Sequence, residues 1–166
     1  PEKLLMDTIE GPRHMAFHTE LDIAYSVNEN GSSVTAFSLN TATGVLSPLQ
    51  TISTLPADFD GDNTCADIVV HPSGQYLYAT NRGHDSVASY TIDRSSGKLT
   101  STGNTATEKT PRAFALTPDG AFLIAAGQSS GRLATYRVNE GSGQLEPLDT
   151  IEVGKNPCWV LPVDLP

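Results

Sequence analysis

The sequence predicts an all-β protein, an incomplete β-propeller of about three whole four-stranded blades and two partial ones. The first observation is a segment that recurs without gaps from Pro12, Cys65 and Pro111, with a fourth copy opening at Pro157. These starts are 53, 46 and 46 residues apart, a spacing typical of propeller blades. The second is composition: runs rich in Val, Ile, Thr, Tyr and Phe alternate with Gly, Asn, Asp, Ser and Pro, and no stretch keeps a helical period.

Each copy contains the same four strands in the same order. In the first copy AFH precedes a turn at TELD, AYSV leads to a hairpin tip, and VTAFSL is followed by a glycine turn and VLSPLQTI. Hairpin tips favour Asn, Gly, Asp and Ser, which tolerate the backbone angles of a chain reversal. The second copy has the tip NRGHDSV at residues 81–87, where charged side chains crowd an otherwise plain turn.

The repeat also sets the expected organisation, one partial propeller domain over residues 1–166. LLMDTIEGPRH near the start parallels PLDTIEVGKNPCW near the end, so residues 1–10 are expected to be the last strand of a preceding blade. The three blades are expected at 11–56, 65–110 and 111–156. An inserted loop is expected at 57–64 and the first strand of a further blade at 157–166. These blades leave open edges, so a homodimer through the edges is expected.

Composition and charge exclude several classes of function. The 19 acidic and 10 basic residues give a net charge of −9, which argues against nucleic acid or an anionic membrane as a partner. Cys65 and Cys158 are too few for a disulfide framework and lack the paired spacing of a zinc site, so buried free thiols are expected. No membrane span or signal peptide is recognisable, which predicts a soluble, cytoplasmic protein; no metal or cofactor is expected.

Polar residues occupy equivalent repeat positions that a propeller brings together. One set lies at the entry to the first strand of each blade, and the other lies at the tip between the second and third strands. The residues are Arg13, His14, Glu29, Asp67, Arg82, Arg112 and Gln128. They differ from blade to blade, whereas a structural requirement would tend to repeat one residue type. A polar cluster at the mouth of the central channel is therefore expected from six of them: Arg13, His14, Glu29, Asp67, Arg82 and Arg112.

Other candidates are expected to be structural. His18 and His71 are equivalent residues on the opposite face, and His84 and Asp85 lie past the bend of their tip, where Asp85 can accept backbone hydrogen bonds. GQSSG at 127–131 fits a serine-nucleophile pattern, but it forms a hairpin tip rather than the strand-to-helix turn that the motif needs. DFDGD spaces its aspartates like a calcium loop with a misplaced glycine, so a flexible insert is expected.

Several segments resemble one known family. GPRHMAFH, YSVNENGSSVTAF, HPSGQYLYATNRGHDSVASYTID and PRAFALTPDGAFL are similar to the C-terminal half of the seven-bladed propeller lactonases. That family includes bacterial cycloisomerase-type 6-phosphogluconolactonases and fungal carboxy-muconate cyclase. The resemblance implies that the chain is part of a seven-bladed ring. It also implies active-site roles for Arg13, at the GPRH motif, for Glu29, at the VNE motif, and for Arg82.

The expected function is hydrolysis of a sugar lactone, with 6-phosphogluconolactone as the leading substrate. Arg13 and Arg82 are expected to anchor the substrate and stabilise its developing charge, and Glu29 to act as general base or to position water. The expected substrate-binding residues are His14, Asp67, Arg112 and Gln128. Two alternatives stay open: a lactonising cycloisomerase acting on a muconate-type dicarboxylate, and a non-catalytic propeller used for binding or scaffolding. An enzyme of either kind would bind a small anionic lactone or dicarboxylate.

Overall fold

The computed structural model describes residues 10–163 and confirms the predicted fold class. The described residues form twelve strands in three antiparallel sheets of four strands each, and no helix. Within each sheet the strands pair in chain order, as in the blade of a propeller. In the described part of the chain no helix is long and apolar enough to cross a membrane.

Blade 1 contains the first four strands. They are β1 (Pro12–Phe17), β2 (Ile23–Asn28), β3 (Ser33–Asn40) and β4 (Val45–Ser53). The two central strands are almost wholly buried, whereas β4 contains only exposed and half-buried residues. This difference is the one expected when the two central strands pack against a neighbouring blade and the last strand forms the outer edge.

Blades 2 and 3 repeat this arrangement. Blade 2 consists of β5 (Thr64–Val70), β6 (Tyr76–Arg82), β7 (Ser86–Ile92) and β8 (Leu99–Ala106). Blade 3 consists of β9 (Pro111–Leu116), β10 (Phe122–Gly127), β11 (Arg132–Val138) and β12 (Leu145–Glu152). The hairpin tips between the second and third strands therefore fall at the same place in all three blades.

The hydrophobic core lies between the blades. One cluster joins blades 1 and 2 through buried residues such as Tyr25, Val27, Leu77 and Tyr90. A second cluster joins blades 2 and 3, with Tyr78 packed among apolar residues of β9 to β12. Burial of these faces is the main favourable contribution to folding, because apolar surface removed from water stabilises roughly in proportion to its area.

Two tyrosines at equivalent positions connect neighbouring blades by the same hydrogen bond. The Tyr25 hydroxyl donates to the carbonyl oxygen of Gly97 at 2.8 Å, and the Tyr78 hydroxyl donates to that of Gly143 at 2.7 Å. Each glycine lies in the turn before the last strand of the following blade, with a positive φ of 69° and 68° respectively. Burial raises the pKa of both phenols, so they remain neutral donors.

Two histidines make a second repeated contact, at the opposite end of the blades from the tips. His18 Nε2 donates to the carbonyl oxygen of Gly74 at 2.9 Å, and His71 Nε2 donates to that of Gly120 at 3.1 Å. Both glycines have a positive φ, and a Cβ on either one would overlap the histidine ring. The prediction that His18 and His71 are structural residues on the opposite face agrees with these contacts.

The ends of the described chain, before β1 and after β12, form no strand. Residues 157–163 form no strand, because no strand of the described chain lies beside them to complete a ladder; the first strand expected at 157–166 is thus absent over these residues. Residues 164–166 and nearly all of the strand expected at 1–10 lie outside the described residues. Both cysteines are free, but only Cys65 is buried, since Cys158 belongs to this unpaired segment.

Candidate active site

The candidate site lies at the tip end of the interface between blades 1 and 2. Glu29 immediately follows β2, and its backbone connects two strand entries. Its N–H donates to the carbonyl oxygen of Gly11 at 2.7 Å, and its carbonyl oxygen accepts from the N–H of Cys65 at 2.9 Å. The backbone of Glu29 is therefore fixed between the entry to β1 and the entry to β5.

A β-bulge at the entry of each blade determines which side chains face the site. Between β1 and β2 the register skips Arg13, between β5 and β6 it shifts across Asp67, and between β9 and β10 it skips Arg112. A bulged residue leaves the regular in-and-out alternation of its strand, so its side chain can be redirected. The bulges therefore explain why polar side chains at these entries do not follow the regular alternation of the first strands.

The first half of the site is a carboxylate held between two guanidinium groups. Arg82 Nη2 donates to Glu29 Oε1, and Arg13 Nε lies 3.7 Å from Glu29 Oε2. Each arginine also donates to blade 2 backbone: Arg82 Nη2 to the carbonyl oxygen of Cys65 at 2.7 Å, and Arg13 Nη1 to that of Ala66. The side chains of Arg13 and Arg82 are only 17% and 14% exposed, against 37% for Glu29. The guanidinium groups are thus fixed in place before any ligand binds.

The charges around Glu29 favour its ionised form. The hydrogen bond from Arg82 is the largest cause that lowers the pKa of Glu29, with charge interactions from Arg82, Arg13 and Arg112 adding to it. Burial acts in the opposite direction but does not outweigh these contacts. Glu29 is therefore an anion near neutral pH, and three cations lie close enough to affect it.

The second half of the site is a histidine–aspartate pair that also crosses between the blades. His14 Nδ1 lies 2.8 Å from Asp67 Oδ1. Asp67 also accepts from the backbone, at 3.0 Å from the N–H of Ile68 and at 3.3 Å from the N–H of Phe114 in blade 3. The Asp67 side chain is 16% exposed and that of His14 is 42% exposed. A fixed carboxylate thus holds an imidazole that solvent and ligands can reach.

Arg13 joins the two halves. Its Nη1 lies 3.2 Å from Nε2 and 3.4 Å from Nδ1 of His14, so it contacts the imidazole between the two nitrogens rather than pairing with one. We call the five residues that these contacts connect the charged cluster: they are Arg13, His14, Glu29, Asp67 and Arg82. The structure also brings Arg112 close enough to influence Glu29. The chemical roles of these residues stay predictions.

Gln128 does not join the charged cluster. Its backbone N–H donates to the carbonyl oxygen of Thr110. The residue lines a separate groove of about 390 Å³ on blade 3, with residues such as Ser129 and Lys155. In GQSSG the Ser129 hydroxyl donates to Thr110 Oγ1 and the Ser130 hydroxyl donates to the carbonyl oxygen of Gly127, so neither serine is paired with a base. No group of three or more metal-ligating side chains lies within residues 10–163.

The inserted loop supports the Arg82 tip, a role that the sequence did not suggest. The ring of Phe59 packs edge-on against His84, with centroids 4.8 Å apart. Asn63 Nδ2 donates to Asn81 Oδ1 at 3.2 Å, and Asn63 Oδ1 accepts from the N–H of His84 at 3.2 Å. The loop therefore holds the residues on both sides of Arg82. The one available signal was an aromatic residue within an otherwise acidic and polar loop.

The tip residue Asp85 behaves as predicted. Its Oδ1 accepts from the N–H of Gly83 at 3.2 Å and from the N–H of Thr110 at 2.9 Å. Its backbone has a φ of 51°, which Asp tolerates better than most residues. The prediction that Asp85 accepts backbone hydrogen bonds is confirmed.

Comparison with known proteins identifies the family. A family model described as "Lactonase, 7-bladed beta-propeller" matches residues 1–162. The chain belongs to this lactonase family. A 6-phosphogluconolactonase of Pectobacterium carotovorum is 40% identical to this chain over 150 residues, which cover 90% of this chain and 45% of that relative.

Solved structures agree with this assignment. The periplasmic gluconolactonase PpgL of Pseudomonas aeruginosa superposes with a TM-score of 0.86 at 30% identity, over 92% of this chain and 43% of that one. A protein described as a 6-phosphogluconolactonase from Bacteroides fragilis gives a TM-score of 0.84 at 32% identity, over 92% of this chain and 42% of that one. This chain thus spans less than half the length of these relatives.

Proposed function

We propose that this lactonase-family chain carries an active site for the hydrolysis of a sugar lactone, with 6-phosphogluconolactone as the leading substrate. The observation that carries the proposal is the pair of fixed guanidinium groups of Arg13 and Arg82 around one carboxylate. The relative from Pectobacterium carotovorum, described as a 6-phosphogluconolactonase, supports the reaction class. The net charge of −9 makes a local arginine cluster the natural place to hold an anion.

The arginines supply what lactone hydrolysis needs electrostatically. When water attacks the lactone carbonyl, negative charge develops on the carbonyl oxygen, and a fixed cation stabilises it without reorganising. A planar guanidinium can also bind phosphate or carboxylate oxygens in a bidentate manner. Arg13 and Arg82 therefore serve as oxyanion stabiliser and substrate anchor. Arg112 adds positive charge beside them.

Glu29 holds the two guanidinium groups in position. Its two carboxylate oxygens contact different arginines, so the carboxylate sets the separation between them. Removing its charge would leave two nearly buried cations without their common counter-ion. Glu29 thus organises the site, whichever group accepts the proton.

The test is hydrolysis of 6-phosphogluconolactone and of unphosphorylated gluconolactone by the chain and its variants. Arg13→Ala should lower kcat/KM by about 10²- to 10³-fold, as expected for loss of a fixed transition-state donor. Arg94→Ala, which removes an exposed arginine in the turn after β7, is the matched control and should leave the rate unchanged. Turnover of a muconate-type dicarboxylate alone would favour the cycloisomerase, and a folded chain inert toward every lactone would refute the proposal.

A homodimer formed through the blade edges and a cytoplasmic location both stay predictions. Solution mass would test the first, and localisation of the tagged protein would test the second.

A further inference from the structure

The proposed reaction needs a group that accepts a proton from water, and Glu29 is poorly suited to this task. Both of its oxygens already contact arginines, and those arginines lower its pKa. A carboxylate stabilised in this way is a weak base, whereas an effective general base titrates near the working pH. The site therefore needs another proton acceptor, and the charged cluster contains one more ionisable pair.

Asp67 determines where the hydrogen of the His14 ring lies. An ionised carboxylate can only accept hydrogen bonds, so the 2.8 Å contact requires a hydrogen on His14 Nδ1. In the neutral imidazole Nε2 then carries the lone pair of the ring, and Arg13 Nη1 lies 3.2 Å from this nitrogen. Asp67 cannot easily turn away, because Oδ1 also accepts from Ile68 and Oδ2 accepts from Phe114.

Two other histidines of the chain have the opposite arrangement. His18 Nδ1 accepts from the backbone N–H groups of Glu20 and Leu21, each at 3.0 Å, and His71 Nδ1 accepts from that of Ser73 at 3.1 Å. Those rings must carry their hydrogen on Nε2, which donates to a carbonyl oxygen of the next blade. His18 and His71 thus donate from Nε2 in structural contacts, whereas the Nε2 of His14 is an acceptor on a side chain that is 42% exposed.

We propose that His14 is the general base of the lactonase site and that Asp67 is the residue that positions it. This inference rests on the proposed function. His14 Nε2 takes a proton from water while the water oxygen bonds to the lactone carbonyl carbon, and the carbonyl electron pair moves onto oxygen beside Arg13. When the tetrahedral intermediate collapses, the bond from that carbon to the ring oxygen breaks. The imidazolium returns its proton to the leaving oxygen, giving the open hydroxy acid.

The charges around His14 come from several elements. Arg13 beside it on β1 and Asp67 on β5 contact the ring directly. Glu29 and Arg82 lie on the far side of Arg13. With an imidazole as the base, the rate falls as the pH drops below about 6 to 7, which gives an acid limb in the pH–rate profile. With a carboxylate as the base, this limb lies near or below about pH 4.3. The position of this limb therefore separates His14 from Glu29.

The experiment combines kinetics with NMR on the full chain. Lactone hydrolysis is measured across pH for the wild type, for His14→Gln and for Asp67→Asn, while long-range ¹H–¹⁵N spectra report the hydrogen position on each ring. Asp67→Asn keeps an oxygen that can accept from the backbone but offers an amide donor to Nδ1, which moves the His14 hydrogen to Nε2. His18→Gln is the matched control, a histidine removed at the opposite end of the interface.

The expected result is an Nδ1–H tautomer for His14 in the wild type and an Nε2–H tautomer in Asp67→Asn. Both site variants should lose about 10²- to 10⁴-fold in kcat with little change in KM, and the limb near neutral pH should disappear. His18→Gln should keep the wild-type kcat. Full activity in His14→Gln, or an Nε2–H tautomer in the wild type, would overturn this inference while leaving the proposed function intact. A wild-type chain inactive on every lactone would overturn both.

Discussion

At one end of the interface between blades, His18 and His71 make the same hydrogen bond to a glycine carbonyl of the next blade. At the other end, Glu29 and Arg82 occupy equivalent tip positions but carry opposite charges and bind each other. The first end repeats its residues because every pair of blades must be joined in the same way. The second end varies them, because a ligand site needs different groups on each wall.

The largest expected effect lies at the end with repeated contacts. Gly120→Ala places a Cβ against the His71 ring at a residue with a φ of 75°, so we expect a loss of about 2 to 3 kcal/mol in the free energy of unfolding. Urea denaturation measures this loss. Gly141→Ala is the control, because that glycine meets no close neighbour and has no positive φ, and its stability should change by less than about 0.5 kcal/mol. Equal losses in both variants would refute the role assigned to the His71 contact.

A smaller effect is expected where the inserted loop supports the variable end. Phe59→Ala removes the ring that packs on His84, which lets the Arg82 tip shift, and we expect kcat/KM for lactone hydrolysis to fall about tenfold. Asp60→Asn changes an exposed residue of the same loop and should have no effect. If both variants kept the wild-type rate, the loop would have no part in positioning Arg82.

The smallest effect concerns pH. Arg82 and Arg13 lower the pKa of Glu29, so its ionised form stabilises the folded state above the unfolded pKa of about 4.3. That contribution is lost as pH falls through the lower pKa of the folded state. It should stay under about 1 kcal/mol, because the carboxylate is more than a third exposed and solvent screens it. The stability difference between wild type and Glu29→Gln should therefore shrink between pH 5 and 2; a constant difference would contradict the ion pairs.

Repetition explains how much the sequence could predict. The strands and tips recur at regular spacings, so one interpretation applied to all three copies. The five residues of the charged cluster could therefore be placed on one face. The bracing by Phe59 occurs in a single insert with no second copy for comparison. Gln128 was expected to bind substrate because it aligns with Glu29, but it lines a groove with the segment that includes Lys155 rather than with a neighbouring blade. The position of a residue in the repeat predicts the face of the molecule on which it lies, but the segments beside it determine which residues it contacts.

The direct test of the central claim is whether one small anion contacts residues of blades 1 and 2 together. The ¹⁵N-labelled chain is titrated with 6-phosphogluconate, the product of the proposed reaction, while the side-chain signals of arginine and histidine are followed by NMR. The account predicts saturable shifts at Arg13, His14 and Arg82, with the signals of His18 and His71 unchanged. Shifts confined to the opposite end of the interface, or no saturable binding, would contradict it.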